Sequence, residues 1–154
     1  MVVIGNMKNA RGLISKYGVD EVWCIVRSLK TMPYYGNNIP VFHVPDLSPS
    51  EELFHDYLHW RDYGMWGETK FIKEYVPRFL NEMHNVPNRK ALSALWFAQR
   101  KKNILLLCFC DEENTCHRSI IAGLLQGVYF HEEKVMVVAE RDYSEYYTQY
   151  KALY

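Results

Sequence analysis

The sequence predicts an α/β fold, a single three-layer domain with a mainly parallel sheet flanked by helices. Three observations carry this. Apolar runs of strand length, "MVVIG", "EVWCIVRS" and "NILLLCFC", are separated by longer stretches whose apolar residues recur at helical spacing. The runs are continuously apolar instead of alternating, which fits strands covered on both faces. The 154 residues make one domain, 1–154, the default, and they suffice to bury a core without disulfides or a structural metal.

Taken in order, "MVVIG" is a strand that stops at Gly5. "MKNARGLISKYG" reads as a helix, weakened by Gly12 and ended by Gly18. "EVWCIVRS" is a buried strand, and Cys24 within it is a core residue. Residues 29–48 hold three prolines, a glycine and two asparagines, so they form a long connection with a short extended piece at 40–44. "SPSEELFHDYLHW" opens a helix, with Ser48 as N-cap, Pro49 in the first turn and two glutamates at the positive end. "TKFIKEYVPRFLNEMHN" is amphipathic and is kinked or split by Pro77. "NRKALSALWFAQRKK" is a further helix, "NILLLCFC" a buried strand and "RSIIAGLLQGVYF" the helix after it. "KVMVVA" is a last short strand, and "DYSEYYTQYKALY" a Tyr-rich helical tail. Strands are thus expected over 1–5, 21–27, 103–110 and 134–138. If they run parallel, Gly5-Asn6, Arg27-Ser28 and Cys110-Asp111 share one edge, where ligands of such sheets bind.

Charge and hydropathy exclude some functions. Lys+Arg and Asp+Glu both number 18, so the basic excess of a generic nucleic-acid or anionic-membrane binder is missing, short of a local patch. No apolar run has the length of a membrane span, and "MVVIGNMKNARG" lacks a signal-peptide pattern. A reducing cytoplasmic setting is expected, where cysteines serve as thiols, metal ligands or catalytic groups.

The densest chemistry lies in "ILLLCFCDEENTCHRSIIAGLL", residues 104–125, with three of the chain's four cysteines. This stretch resembles the signature of the domain-of-unknown-function 488 family. That signature is a buried strand, a Cys at its end, an acidic loop, then Cys-His-Arg-Ser opening a helix. The step from Cys108 to Cys116 matches it. "VWCIVRS" is similar to the family's strand ending in Asp-Val-Arg, with Arg27 on the Arg. "LSPSEELFHDY" and "FIKEYVPRFLNEM" resemble the middle helices of one branch. The resemblance covers about 5–130, leaving a strand and the tail over 131–154. Ile25 stands where the family usually has Asp, and Cys110 where an acidic residue is common. The resemblance implies a fold and a site, but no reaction.

The residues of this box admit several chemistries. Cys116 lies beside a helix N-terminus and Arg118, both of which favour thiolate, and His117 is placed to act as base or proton shuttle. Against this stands a pair, Cys108 and Cys116, that simply locks the loop onto the strand. Arg118 and Ser119 at a helix start form an anion site to which Arg27 adds a second guanidinium, while Asn6 and Cys110 are expected at the pocket. The competing role for Arg118 is a salt bridge to Asp111, Glu112 or Glu113. A tyrosine-phosphatase assignment is rejected, because Cys110 and Arg118 stand at Cys-x7-Arg instead of Cys-x5-Arg, and the loop has three carboxylates and no glycine. Cys108, Cys110, Cys116 and His117 have the count for tetrahedral zinc. Their spacing is irregular, two are adjacent, and Cys108 is expected to point into the sheet. No metal and no cofactor are therefore expected. A Cys110–Cys116 redox pair is weak for want of C-x-x-C.

Tyr57, Trp60, Tyr63 and Trp66 recur at threes beside His59 and Arg61. They suit stacking on a base or sugar, or a core stripe under a Gly64/Gly67 loop, and the core stripe is preferred. Tyr143, Tyr146, Tyr147, Tyr150 and Tyr154 suit docking on the domain or a homodimer contact, docking being preferred. Two functions remain. The first is a pocket for an anionic or nucleotide-like small molecule at the carboxyl edge of the sheet, with Cys116 and His117 as catalytic groups if it is an enzyme. The second is a non-catalytic protein-interaction module using the segment 57–66 and the tail.

Overall fold

The computed structural model describes residues 1–127, 129–130 and 133–153. Its frame is a five-stranded, all-parallel sheet of β1 (Val2–Asn6), β2 (Glu21–Cys24), β3 (Val41–His43), β4 (Ile104–Cys108) and β7 (Val137–Val138), in the order β3-β2-β4-β1-β7. β5 (Tyr129–Phe130) and β6 (Glu133–Lys134) form a separate antiparallel pair. The helices are α1 (Ala10–Tyr17), α2 (Glu51–Asp62), α3 (Glu68–Lys70), α4 (Val76–Glu82), α5 (Val86–Gln99), α6 (His117–Gly127) and α7 (Glu145–Ala152). Among the described residues no helix is long and apolar enough to cross a membrane.

The apolar runs become central strands because both faces of the sheet are covered. Val2, Ile4, Trp23, Ile25, Ile104 and Leu106 enter one core with the side chains of α2 and α4 to α7. Val3, Val22, Cys24, Leu105 and Leu107 enter a second core with Ala10 of α1. This is the three-layer arrangement the sequence predicts, and Cys24 is fully buried as expected.

The boundaries differ in instructive ways. The N-cap of α2 is Ser50, not Ser48, and its hydroxyl accepts from the Leu53 amide at 3.2 Å. Glu82 decides this, taking the Ser50 amide and hydroxyl at 2.8 and 2.6 Å. Ser48 instead donates to the Pro45 carbonyl. Pro77 does interrupt its helix, through a π-helical turn over Phe71–Tyr75. The Val76 amide reaches back to the Phe71 carbonyl, and the widened turn precedes Pro77 in the first turn of α4. The strand expected over 134–138 is split. Lys134 pairs in the hairpin, Val135 drops into the core, and only Val137–Val138 join the sheet beside β1. The helix expected to reach 130 ends at Gly127, with Val128 outside the described residues.

The tail docks, as the preferred reading has it. Tyr143 and Tyr146 are buried, and Tyr150 donates to the Met83 carbonyl at 3.0 Å. Tyr154 lies outside the described residues. The crossing of the tail over α6 is so close that a β-carbon on Gly123 would collide with the Tyr143 backbone. Gly123→Ala should therefore destabilise the protein by about 1–3 kcal/mol through overpacking, read as a lower urea midpoint. The gain in helix propensity, about 1 kcal/mol, does not offset it.

Candidate functional site

Because β1, β2 and β4 run parallel, their carboxyl ends share an edge, with Asn6 opposite Cys108 and Cys24 opposite Leu107. The chain leaves β4 at Cys108, passes exposed Phe109 and half-buried Cys110, and tightens into a 3₁₀ turn over Glu113–Thr115. Cys116 is extended and closes that turn by donating its amide to the Glu113 carbonyl at 3.1 Å. His117 then starts α6. Ser119 donates both its amide and its hydroxyl to the Cys116 carbonyl, at 3.0 and 2.7 Å. Its role here is to fix the helix start, and it is fully buried.

The turn gathers sulfur. Cys108 Sγ lies 3.3 Å from Cys116 Sγ and 4.0 Å from Cys110 Sγ, and all three sulfurs lie within 4.8 Å of one another. Cys108 thus turns toward the helix start instead of into the sheet, which corrects the sequence reading. All four cysteines are free thiols. The Cys108 thiol is pushed up to about 12, mainly by its contact with Cys110 and by burial, despite the opposing Cys116 contact. Cys110 is held down by Cys108, but the Cys116 sulfur and burial prevail and bring it also to about 12. Neither is a ready nucleophile at neutral pH.

His117 is buried, packs against Phe79 with ring centroids 5.7 Å apart, and meets the Ile25 carbonyl through Nε2 at 2.5 Å. A carbonyl oxygen only accepts, so Nε2 carries a hydrogen. Nδ1 lies 3.8 Å from both Cys108 Sγ and Cys116 Sγ, and Nε2 lies 4.0 Å from Cys108 Sγ.

Arg118 is 2% exposed. It closes the loop, but not by a salt bridge to Asp111, Glu112 or Glu113. Its Nη1 donates to the Cys110 carbonyl at 2.8 Å, and Nη2 approaches the Asp111 carbonyl at 3.5 Å. Its Nε is buried with no acceptor. Burial works to lower its pKa, and the three sulfurs, Cys116 foremost, more than reverse this. The loop carboxylates are engaged elsewhere. Asp111 pairs with Lys8 at 3.1 Å in solvent, and buried Glu113 accepts from the Glu140 amide and the Tyr143 hydroxyl, both at 2.8 Å.

A cavity of about 270 Å³ opens beside the sulfurs. Its lining includes Cys108, Cys110, Thr115, Cys116 and His117, the rings of Tyr57, Trp66 and Tyr75, and Arg27 and Arg61, of which Arg61 pairs with Asp62 at 3.2 Å and Arg27 donates to the Pro49 carbonyl at 3.4 Å. Trp66 meets Tyr57 and Tyr75 edge-on, with centroids 4.7 and 5.6 Å apart. Of the seven residues singled out from sequence, Cys110, Cys116, His117 and Arg27 meet there. Arg118, Ser119 and Asn6 do not line it. Asn6 is occupied by its own turn, its Oδ1 accepting the Lys8 and Asn9 amides at 3.0 Å, while its Nδ2 donates weakly to the Asp111 carbonyl. None of the three loop carboxylates lines the cavity either. Tyr75 is a lining residue that sequence missed, because its helical spacing reads as core, and it is indeed buried. The aromatic stripe divides: Tyr57, Trp60 and Trp66 pack against the core while Tyr63 is 72% exposed. A larger groove of about 560 Å³ lies between α5, α6 and α7, lined largely by apolar side chains and away from the sheet edge.

Arg118→Ala should remove the donors to the loop carbonyls and leave a hole, costing about 3 kcal/mol in urea denaturation. Arg61→Ala, at a side chain 54% exposed, should stay within about 0.5 kcal/mol of wild type.

A family model described as the active DUF488-N3 subclade matches residues 21–128, which include every cavity residue named above. No curated protein and no solved structure matches the chain. With more than half of its length matched by that model, including the whole β4–α6 turn, the chain belongs to the DUF488 family, in its N3 subclade.

Proposed function

We propose that the cavity at the carboxyl edge of the sheet binds an anionic, nucleotide-like small molecule. The observation that carries this is the composition of its lining. The guanidiniums of Arg27 and Arg61, the latter also paired with Asp62, line it together with the rings of Tyr57, Trp66 and Tyr75, three thiols and an imidazole. Guanidiniums suit a phosphate or carboxylate, and rings suit a planar group. The position outside the carboxyl ends of β2 and β4 is where parallel sheets bind ligands. At about 270 Å³ the cavity is at the small end of ligand sites, which favours a mononucleotide-sized molecule over a dinucleotide.

Catalysis on the bound molecule is the finer reading. One observation favours it: the Ile25 carbonyl holds Nε2 of His117, and Nδ1 lies 3.8 Å from the Cys116 sulfur, where His117 can act as its base. The family description, with its word "active", accords with that reading. The interaction-module alternative loses half of its surface, because Tyr143 and Tyr146 are buried against the domain.

The test is a nucleotide and nucleoside-phosphate panel read by thermal shift and calorimetry. A mononucleotide at a hundred times its Kd should add about 2.7 kcal/mol of stability. Arg27→Ala should weaken binding by about 1.5–3 kcal/mol with little change in the unliganded melt, since half-exposed charges contribute little to folding. If no anion in the panel shifts the melt and Arg27→Ala matches wild type throughout, the pocket reading fails.

A further inference from the structure

From the geometry of the β4–α6 turn we infer a zinc site formed by the thiols of Cys108, Cys110 and Cys116, with solvent or a bound molecule in the fourth position. The inference goes beyond the anion pocket and does not rest on it. Tetrahedral zinc holds sulfur at about 2.3 Å, so its sulfur–sulfur edges are about 3.8 Å. The sulfur pairs at 3.3 and 4.0 Å bracket those edges. Cys110 completes the set, with all three sulfurs inside 4.8 Å. The irregular spacing in sequence is no obstacle, because the turn between β4 and α6 brings Cys116 Sγ back to 3.3 Å from Cys108 Sγ.

Two independent features point to a cation at that point. The first is the clustering of the sulfurs themselves, with Cys116 Sγ 3.3 Å and Cys110 Sγ 4.0 Å from Cys108 Sγ in a turn from which water is largely excluded. The second is Arg118. A buried guanidinium needs a counter-charge. Among the described residues none of the ion pairs includes Arg118, and its Nε–H has no acceptor. Its Nη1 is held instead by the Cys110 carbonyl, inside the sulfur-bearing turn. Three thiolates and one zinc ion carry a net single negative charge. Arg118, fixed in the same turn by the Cys110 carbonyl, is the counter-charge to it. Thiolate donors select zinc over hard divalent ions. Loading releases three thiol protons to solvent and involves no redox step. In the loaded state Cys116 serves as a ligand instead of acting on a bound molecule.

The experiment is cobalt titration of the full chain, stripped of metal and kept reduced, in the absence of nucleotide. One equivalent of Co²⁺ should bind with sulfur charge-transfer bands and the visible bands of tetrahedral cobalt, and Zn²⁺ should displace it. Cys110→Ser, at a half-buried position, should weaken binding by at least about 100-fold, more than loss of an outer-shell partner typically does. If that variant does not fold, thiol protection in wild type decides. Zinc should slow thiol-reagent labelling of Cys110, and a chelator should restore it. Arg27→Ala should keep the cobalt spectrum, so failure of nucleotide binding with metal retained rejects only the pocket reading. Absence of the tetrahedral thiolate spectrum in the reduced chain, or unchanged affinity in folded Cys110→Ser, overturns the zinc site.

Discussion

Everything at the site depends on the double pairing of β4. It is hydrogen-bonded in parallel to β1 on one side and β2 on the other, in the middle of a sheet buried on both faces. Such a strand cannot slip by one residue without exchanging its two cores, since Ile104 and Leu106 feed one and Leu105 and Leu107 the other. The register therefore fixes where the chain leaves the sheet. Cys108 is held opposite Asn6, and the loop that follows must turn back within eight residues to start α6. Cys116 and His117 are delivered to the end of β4 by this constraint, and the sulfur cluster is its local result.

Burial then sets the chemistry. A thiol in this turn is shielded from water and crowded by two others, so Cys108 and Cys110 resist ionisation. The one strong positive charge inside the turn, Arg118, is positioned by backbone carbonyls and not by a carboxylate. Its charge thus remains available to the sulfurs. Had Glu113 taken it, the turn would be electrically closed. Glu113 instead turns inward to the Tyr143 hydroxyl and the Glu140 amide.

The fold and the place of the site were largely legible in the sequence, and the reasons are local. Continuous apolar runs mark strands buried on both faces, and the Cys-His-Arg-Ser box marks the strand-to-helix turn. What was not legible depends on partners far along the chain. Ser48, Pro49 and Ser50 offer two caps for α2, and the choice is made by Glu82, 32 residues away. Arg118 has three carboxylates close in sequence, yet it pairs with carbonyls because two of those carboxylates find Lys8 and Tyr143. Asn6 reads as an edge residue free to meet a ligand, whereas its side chain is consumed by the Lys8 and Asn9 amides. The run "KVMVVA" has strand composition throughout, but the hairpin captures its first residue and the core its second.

The inward turn of Glu113 has a consequence for the extent of the site's support. The family match ends at residue 128, whereas both donors to this carboxylate come from beyond it, at Glu140 and Tyr143. β7, on the edge of the sheet, is likewise supplied from outside the matched stretch. The C-terminal segment is therefore a brace for the sulfur-bearing turn and not an appendage. The piece of this chain that holds the turn in place is longer than the stretch the family model matches.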